Sequence, residues 1–219
     1  MTAVTLIGNV NVDLIVRPIT SLPLPGSEQE VDSIEIRAGG SAAIAGLTLA
    51  RLGVSPRIVG CVGDDRFGRF LLEELEDAGL SVADVRVLEG SLSGVSIAFE
   101  APGRDRSFVT SLGSLARFDR TLVPDDALGA RIVFVGGYFL SPGVRGAPTH
   151  DILREARGRG ATTMLDTGWD PQGWPLETRA EVNSLLPEVD VFLPNADEAI
   201  GLAGLADPRA AAEAIAAGS

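Results

Sequence analysis

Ala38-Gly39-Gly40-Ser41-Ala42-Ala43 is a diglycine bend that opens a helix of small residues. Gly8-Asn9-Val10-Asn11-Val12-Asp13, closing an N-terminal apolar strand, is its natural polar counterpart. Glycines let the backbone approach a ligand closely, and a helix start exposes unpaired N–H donors. Asn11 and Asp13 are two residues apart, so an extended strand projects them from one face. A carboxylate beside a carboxamide has the donors and acceptors to clamp vicinal hydroxyls. Taken singly, each stretch has a plainer reading. Asn and Asp favour chain reversals, and Gly39-Gly40-Ser41 serves equally as a tight strand-to-helix turn with Ser41 as N-cap. Together they outline a pocket for a hydroxyl-rich small molecule.

Outward from these stretches, short apolar runs alternate with helical patterns, the signature of an α/β protein with a mainly parallel sheet. Strands are expected at 3–7, 57–62, 132–135, 162–166 and 191–193. They read as continuous apolar runs, as strands covered on both faces do. Helices are expected at 42–52, 66–78 (with Asp65 as cap), 148–157, 196–203 and from Pro208 to about 217. Two segments break the rhythm: 28–36 and 95–110 read as exposed strands, the second folded into a hairpin at Ala101-Pro102-Gly103. They fit a small β-flap standing off a doubly wound core.

Composition narrows the function. The net charge of −12 argues against a nucleic-acid backbone as partner, but not against a nucleotide held by backbone N–H groups and Mg²⁺. All 18 basic residues are Arg, so neither a P-loop lysine nor a pyridoxal Schiff base is available. One Cys and one His exclude an internal disulfide and a structural zinc site; Cys61 reads as a small buried strand residue. The long uncharged stretches are bounded by Arg and too short to span a bilayer, so no membrane partner is expected. The N-terminus enters a strand without a basic leader, so a cytoplasmic location is expected. No Gly-x-Gly-x-x-Gly follows the first strand, which disfavours a nicotinamide-binding fold.

The order and spacing of these stretches resemble the PfkB family of carbohydrate kinases (ribokinase-like). The similarity continues through Gly60-Cys61-Val62-Gly63-Asp64-Asp65-Arg66-Phe67-Gly68 and the segment 105–113. It reaches Pro194-Asn195-Ala196-Asp197-Glu198, which is similar to the family's Asn-x-x-Glu motif. The resemblance implies a ribokinase-like three-layer α/β/α sandwich over 1–219, with lid strands at about 28–37 and 95–110 and possible homodimerisation through the flap. It implies ATP-dependent phosphorylation, with Mg²⁺, of a sugar or related small alcohol. By the same resemblance Asn11 and Asp13 bind substrate hydroxyls, Gly39 and Gly40 line the sugar pocket, and Asn195 and Glu198 lie near the phosphates and the waters of Mg²⁺. Without it, Glu198 reads equally as a solvated first-turn acid. Asp166 ends a strand, where open α/β sheets bind ligands, and reads equally as a cap for the following turn.

Two departures stand out. The family's substrate-contacting Asn, shortly after the diglycine, falls here on Ile44. The family's Gly-Ala-Gly-Asp loop, which carries the catalytic Asp, is expected beyond residue 219, so no catalytic residue is assigned and the fold is read as C-terminally truncated. The alternative is a non-catalytic remnant or sugar-binding module.

Overall fold

The computed structural model describes residues 3–103 and 105–218. A six-stranded parallel sheet is built from β1 (Val4–Gly8), β4 (Arg57–Gly63), β5 (Val85–Leu88), β8 (Ile132–Gly136), β9 (Thr162–Leu165) and β10 (Val191–Phe192), in the order β10-β9-β8-β1-β4-β5. Both faces of these strands are apolar, and the alternation of side chains sends neighbours to opposite layers. Leu6, Ile58, Val62 and Phe134 join one cluster, with Ala42 and Ala43 of α1 (Ser41–Arg51) and Leu71 and Leu75 of α2 (Arg66–Asp77). Ile7, Val59, Cys61, Val133, Val135 and Leu165 join the other. There they meet Ile152 and Leu153 of α3 (Ala147–Gly158), Val182 and Leu185 of α4 (Leu176–Leu185) and Leu202 of α5 (Ala196–Ala203). Leu71 and Leu75 are fully buried, each contributing roughly 1.5–3 kcal/mol over an exposed position. The result is a three-layer α/β/α sandwich. A final helix, α6 (Pro208–Gly218), packs on α5.

A second sheet of four strands stands off the first, built from β2 (Asn11–Arg17), β3 (Ser33–Gly39), β6 (Val95–Phe99) and β7 (Ser107–Ser111) in the order β3-β2-β6-β7. Asn11 and Asp13 thus belong to a flap strand of their own, not to the end of β1; only Asn9 and Val10 separate the two strands. The flap strand expected to start at 28 begins at Ser33, and the region 95–110 is the β6–β7 hairpin. The strand β5 and the helix α4 had no distinct pattern in the sequence, because four residues and a helix of mixed polarity give little periodicity.

The flap is two-sided. Register pairs Val16 with Ile34, Leu14 with Ile36 and with Ile97, and Ile97 with Val109, so these apolar side chains share one face. Ile34, Ile36 and Val109 on that face are more than half exposed. The opposite face carries Asp13, Arg17, Glu35 and Arg37, where Arg17 and Arg37 both pair with Glu35. Glu100 pairs with Arg17 and Arg106 beside it. Among the described residues no helix is long and apolar enough to cross a membrane.

Candidate active site

Because every strand of the large sheet runs the same way, the residues following their carboxyl ends collect along one edge. Asn9 follows β1, Gly137 follows β8, Asp166 follows β9 and Asn195 lies just past β10, and these four strands are adjacent in the sheet. Open α/β sheets bind ligands along this edge.

The diglycine bend and the opening polar stretch meet there. Asn11 pairs with Gly39 across β2 and β3. A Cβ added to Gly39 would lie 2.2 Å from Asp13 Cγ and 2.4 Å from each carboxylate oxygen, so the missing side chain is the space the carboxylate occupies. Gly40 has φ of 92°, a conformation L side chains rarely adopt, and an added Cβ would lie 2.7 Å from Asn11 Oδ1. Gly40, rather than Ser41, is the N-cap of α1, and it brings no side chain to cap with. The cap is supplied from a distance: the Ser41 N–H donates to Asn9 Oδ1 at 2.8 Å.

From Asn9 the bonding continues. Asn9 Nδ2 donates to Asn11 Oδ1 at 3.1 Å, and Asn11 Nδ2 donates to Asp13 Oδ1 at 2.9 Å. Asn9 and Asn11 are buried, and Asp13 is half-buried. Burial pushes the Asp13 carboxyl above its ordinary range; the Asn11 bond and the charge of Arg106 pull it back only in part. Asn9 carried no expectation from the sequence. Its signal was available only as a third polar residue in alternation with Asn11 and Asp13.

Asp166 and the Asn195–Glu198 pair form a second group along the edge. Asp166 Oδ2 accepts from the Gly137 N–H at 3.4 Å and Oδ1 from the Gly168 N–H at 3.2 Å, so it does cap the following turn. Gly137 is in the left-handed region at φ 67° and is also the residue against which Asn9 packs, an added Cβ lying 2.0 Å from Asn9 Oδ1. It joins the two groups. Asn195 and Glu198 make a reciprocal capping box at the start of α5: Glu198 N–H donates to Asn195 Oδ1 at 2.9 Å, while the Asn195 backbone N–H and Nδ2 donate to the two Glu198 oxygens. Glu198 is 5% exposed, so it is not a solvated first-turn acid. Burial raises its carboxyl above the ordinary value, and the nearby Asp166 and Asp197 charges raise it further. Thr167, beside Asp166, is buried, and its Oγ1 has no hydrogen-bond partner among the described residues.

Several further side chains near the sheet are structural or peripheral. Cys61 is buried in β4, where burial lifts its thiol to about 11 and makes it an inert hydrophobe. Trp174 anchors the core at 2% exposure, while Trp169 is half exposed. Ile44 is half exposed in the first turn of α1. Asp65 caps α2 through the Gly68 N–H at 2.7 Å and also receives the Ser93 N–H and hydroxyl at 2.9 and 2.7 Å. Burial alone would raise its carboxyl, yet these bonds hold it below the ordinary range.

A parallel α/β/α sandwich under a four-stranded flap, with polar residues gathered at the strand ends, is the ribokinase-like architecture. The chain belongs to the pfkB family of carbohydrate kinases, whose pattern it matches over residues 1–219. It is similar to 2-dehydro-3-deoxygluconokinase of Thermoproteus tenax, 29% identical over 85% of this chain and 59% of the relative. It is also similar to aminoimidazole riboside kinase of Salmonella typhimurium, 32% identical over 77% of this chain and 47% of the relative. The fold is shared with adenosine kinase from Sinorhizobium meliloti (TM-score 0.80, 23% identity, 99% of this chain and 72% of that one). Ribokinase of Arabidopsis thaliana, complexed with ribose and ATP, shares it too (TM-score 0.75, 21% identity, 100% of this chain and 70% of that one). The chain spans about half to three-fifths of the length of these two curated relatives.

Proposed function

We propose that this chain forms the sugar-binding half and lid of a cytoplasmic, ATP-dependent kinase acting on a sugar or related small alcohol. One observation carries the reading: the Asp13 carboxylate fills the space left by Gly39, with Asn11 its one hydrogen-bond donor among the described residues. A carboxylate accepts about four hydrogen bonds in all, so Asp13 retains capacity for hydroxyl donors from a ligand. Gly39 and Gly40 line that side of the pocket. Ile44 offers no hydrogen bond, which suits a ligand less polar where it meets the first turn of α1. The relatives' names include a dehydro-deoxy sugar acid and a riboside, and the preferred alcohol is sought among those chemistries.

Asn195, Glu198 and Asp166 are assigned to the nucleotide side. Among the described residues no cluster of three or more His, Cys, Asp or Glu forms an ion cage, and both Glu198 oxygens are bonded to Asn195. The donor set therefore fits Mg²⁺ met through its water shell, not direct ligation. When bound, magnesium and ATP supply the phosphoryl group and neutralise its developing charge. The work of this chain's own residues is positioning: Asp13 orients the acceptor hydroxyl, and the flap shields it from water. No residue of the 219 is assigned as the base. The apolar flap face bearing Ile34, Ile36 and Val109 is assigned to contact with a second copy of the chain.

The test is titration calorimetry with D-ribose, 2-dehydro-3-deoxy-D-gluconate, D-gluconate and adenosine, run beside a coupled assay of ATP turnover. Binding of one of these alcohols is expected, with turnover when a homologous C-terminal third is appended. Failure of all four to bind removes the reading. Binding with no turnover in either form favours the sugar-binding module.

A further inference from the structure

We propose that Asn9 is a positioning residue for the sugar site, setting the orientation of Asn11 and through it the Asp13 carboxylate. The inference rests on the sugar-binding reading of Asp13 but is argued from bond directions alone. Side-chain amides are ordinarily ambiguous, since oxygen and nitrogen look alike and their assignment depends on their partners. Here the ambiguity is removed at one end. The Ser41 backbone N–H is only a donor, so the atom of Asn9 facing it at 2.8 Å must be the oxygen. That turns Asn9 Nδ2 toward Asn11, whose facing atom at 3.1 Å must then be its oxygen. Asn11 Nδ2 is left to face Asp13 Oδ1 at 2.9 Å, a donor to an ionised acceptor. Each link follows from the one before it, and the first is fixed by the peptide backbone.

The arrangement has two consequences. Asn11 is 1% exposed, its oxygen accepts from Asn9 and its Nδ2 donates to Asp13 and, more weakly, to the Val12 carbonyl at 3.4 Å, so it holds Asp13 whatever further contact it makes with the ligand. Asp13 then presents its remaining acceptor capacity in a fixed direction, selecting ligands that donate from adjacent hydroxyls. Asn9 itself is seated by Gly137, where any Cβ would displace its side chain. Its position is therefore set by the turn after β8, a strand neighbouring its own. The charged groups that face Asp13 from other flap elements are Arg106, adjoining β7, and Arg37, its cross-strand partner in β3.

The experiment uses neutral substitutions, so that no new charge confuses the outcome. Asn9→Ser keeps a polar side chain, but its Oγ, a bond shorter than Asn9 Oδ1, cannot reach Asn11 as a donor; Asn9→Ala removes side-chain hydrogen bonding altogether. The Asp13 carboxyl is titrated by carbon NMR and assigned with Asp13→Asn, and protection of the Asn11 side-chain amide is followed by hydrogen exchange. The Asn11 bond lowers the Asp13 titration midpoint, so loosening it moves the midpoint upward in both variants, with faster exchange at the Asn11 amide. Whichever alcohol binds the parent chain should bind Asn9→Ser about tenfold more weakly, the scale of a misaligned hydrogen bond to a charged group. An unchanged midpoint and unchanged exchange in Asn9→Ser, with main-sheet amides as protected as in the parent, overturns the proposal. If Asn9→Ala does not fold, Asn9→Ser alone decides. A shifted midpoint with no alcohol bound by the parent chain leaves the relay standing and removes the sugar reading instead.

Discussion

Substituting Gly39→Ala should separate ligand binding from folding. Gly39 lies in β3 without a positive φ, so its backbone tolerates a side chain, and only space opposes one. That space is taken: the new Cβ would sit 2.2 Å from Asp13 Cγ, nearer than non-bonded carbons come. Asp13 has a short side chain that can rotate, so the conflict resolves by moving the carboxylate, not the sheet. The rotation gives up the 2.9 Å bond from Asn11. A hydrogen bond to a charged group contributes about 1.5–3 kcal/mol, while alanine in a strand regains roughly 0.5–1 kcal/mol over glycine. The net cost in stability is about 0.5–2.5 kcal/mol, read as a modest fall in the urea midpoint at unchanged slope. Ligand binding loses the aligned carboxylate altogether, a weakening of about tenfold to a hundredfold in calorimetry. A Gly39→Ala protein that binds its alcohol as tightly as the parent chain refutes the reasoning. So does a stability loss beyond about 4 kcal/mol, the scale of a disrupted core.

Other perturbations probe different parts of the molecule. Glu198 holds its proton more tightly folded than unfolded, so the folded state binds more protons just above the ordinary carboxylate value of 4.5, and stability declines as pH rises through that interval. Glu198→Gln should remove this part of the slope in urea titrations from pH 4 to pH 8; an unaltered slope would mean that burial of Glu198 costs nothing. Asp65→Ala loses a helix cap and the Ser93 tie, for a destabilisation of roughly 2–4 kcal/mol with faster amide exchange in β6 than in β1. Equal acceleration in both strands would show that the tie does not act on the flap. Ile36→Glu places a charge on the exposed apolar flap face and should shift sedimentation toward monomer; a parent chain already monomeric at high concentration would dispose of the flap interface.

The core elements were legible because their signal is local. Continuous apolar runs at 57–62 and 132–135 announced strands covered on both sides, and the observed β4 and β8 match them to within a residue. Asp65 was readable as a cap because side-chain capping acts within three residues. The flap strand Asn11–Arg17 was not separable from β1, since Asn11 and Asp13 alternate with apolar residues over 10–16 and no turn signal marks the change of sheet at Asn9 and Val10. Asn195 and Glu198 had the local spacing of a capping box, but not the burial of Glu198, which depends on how the helix start packs in the fold.

The sequence by itself determined the alternation of elements, the two-sided apolar strands and the small residues at the diglycine bend, because periodicity and backbone freedom are properties of neighbouring residues. Only the tertiary structure decided that Asn9 caps a helix beginning 32 residues later, that Gly39 makes room for Asp13, and that Gly137 seats the relay. Those contacts join segments far apart along the chain. The antiparallel pairing of β2 with β3 sets Gly39 against Asp13, the parallel neighbourhood of β1 and β8 sets Gly137 beside Asn9, and no local pattern encodes either pairing.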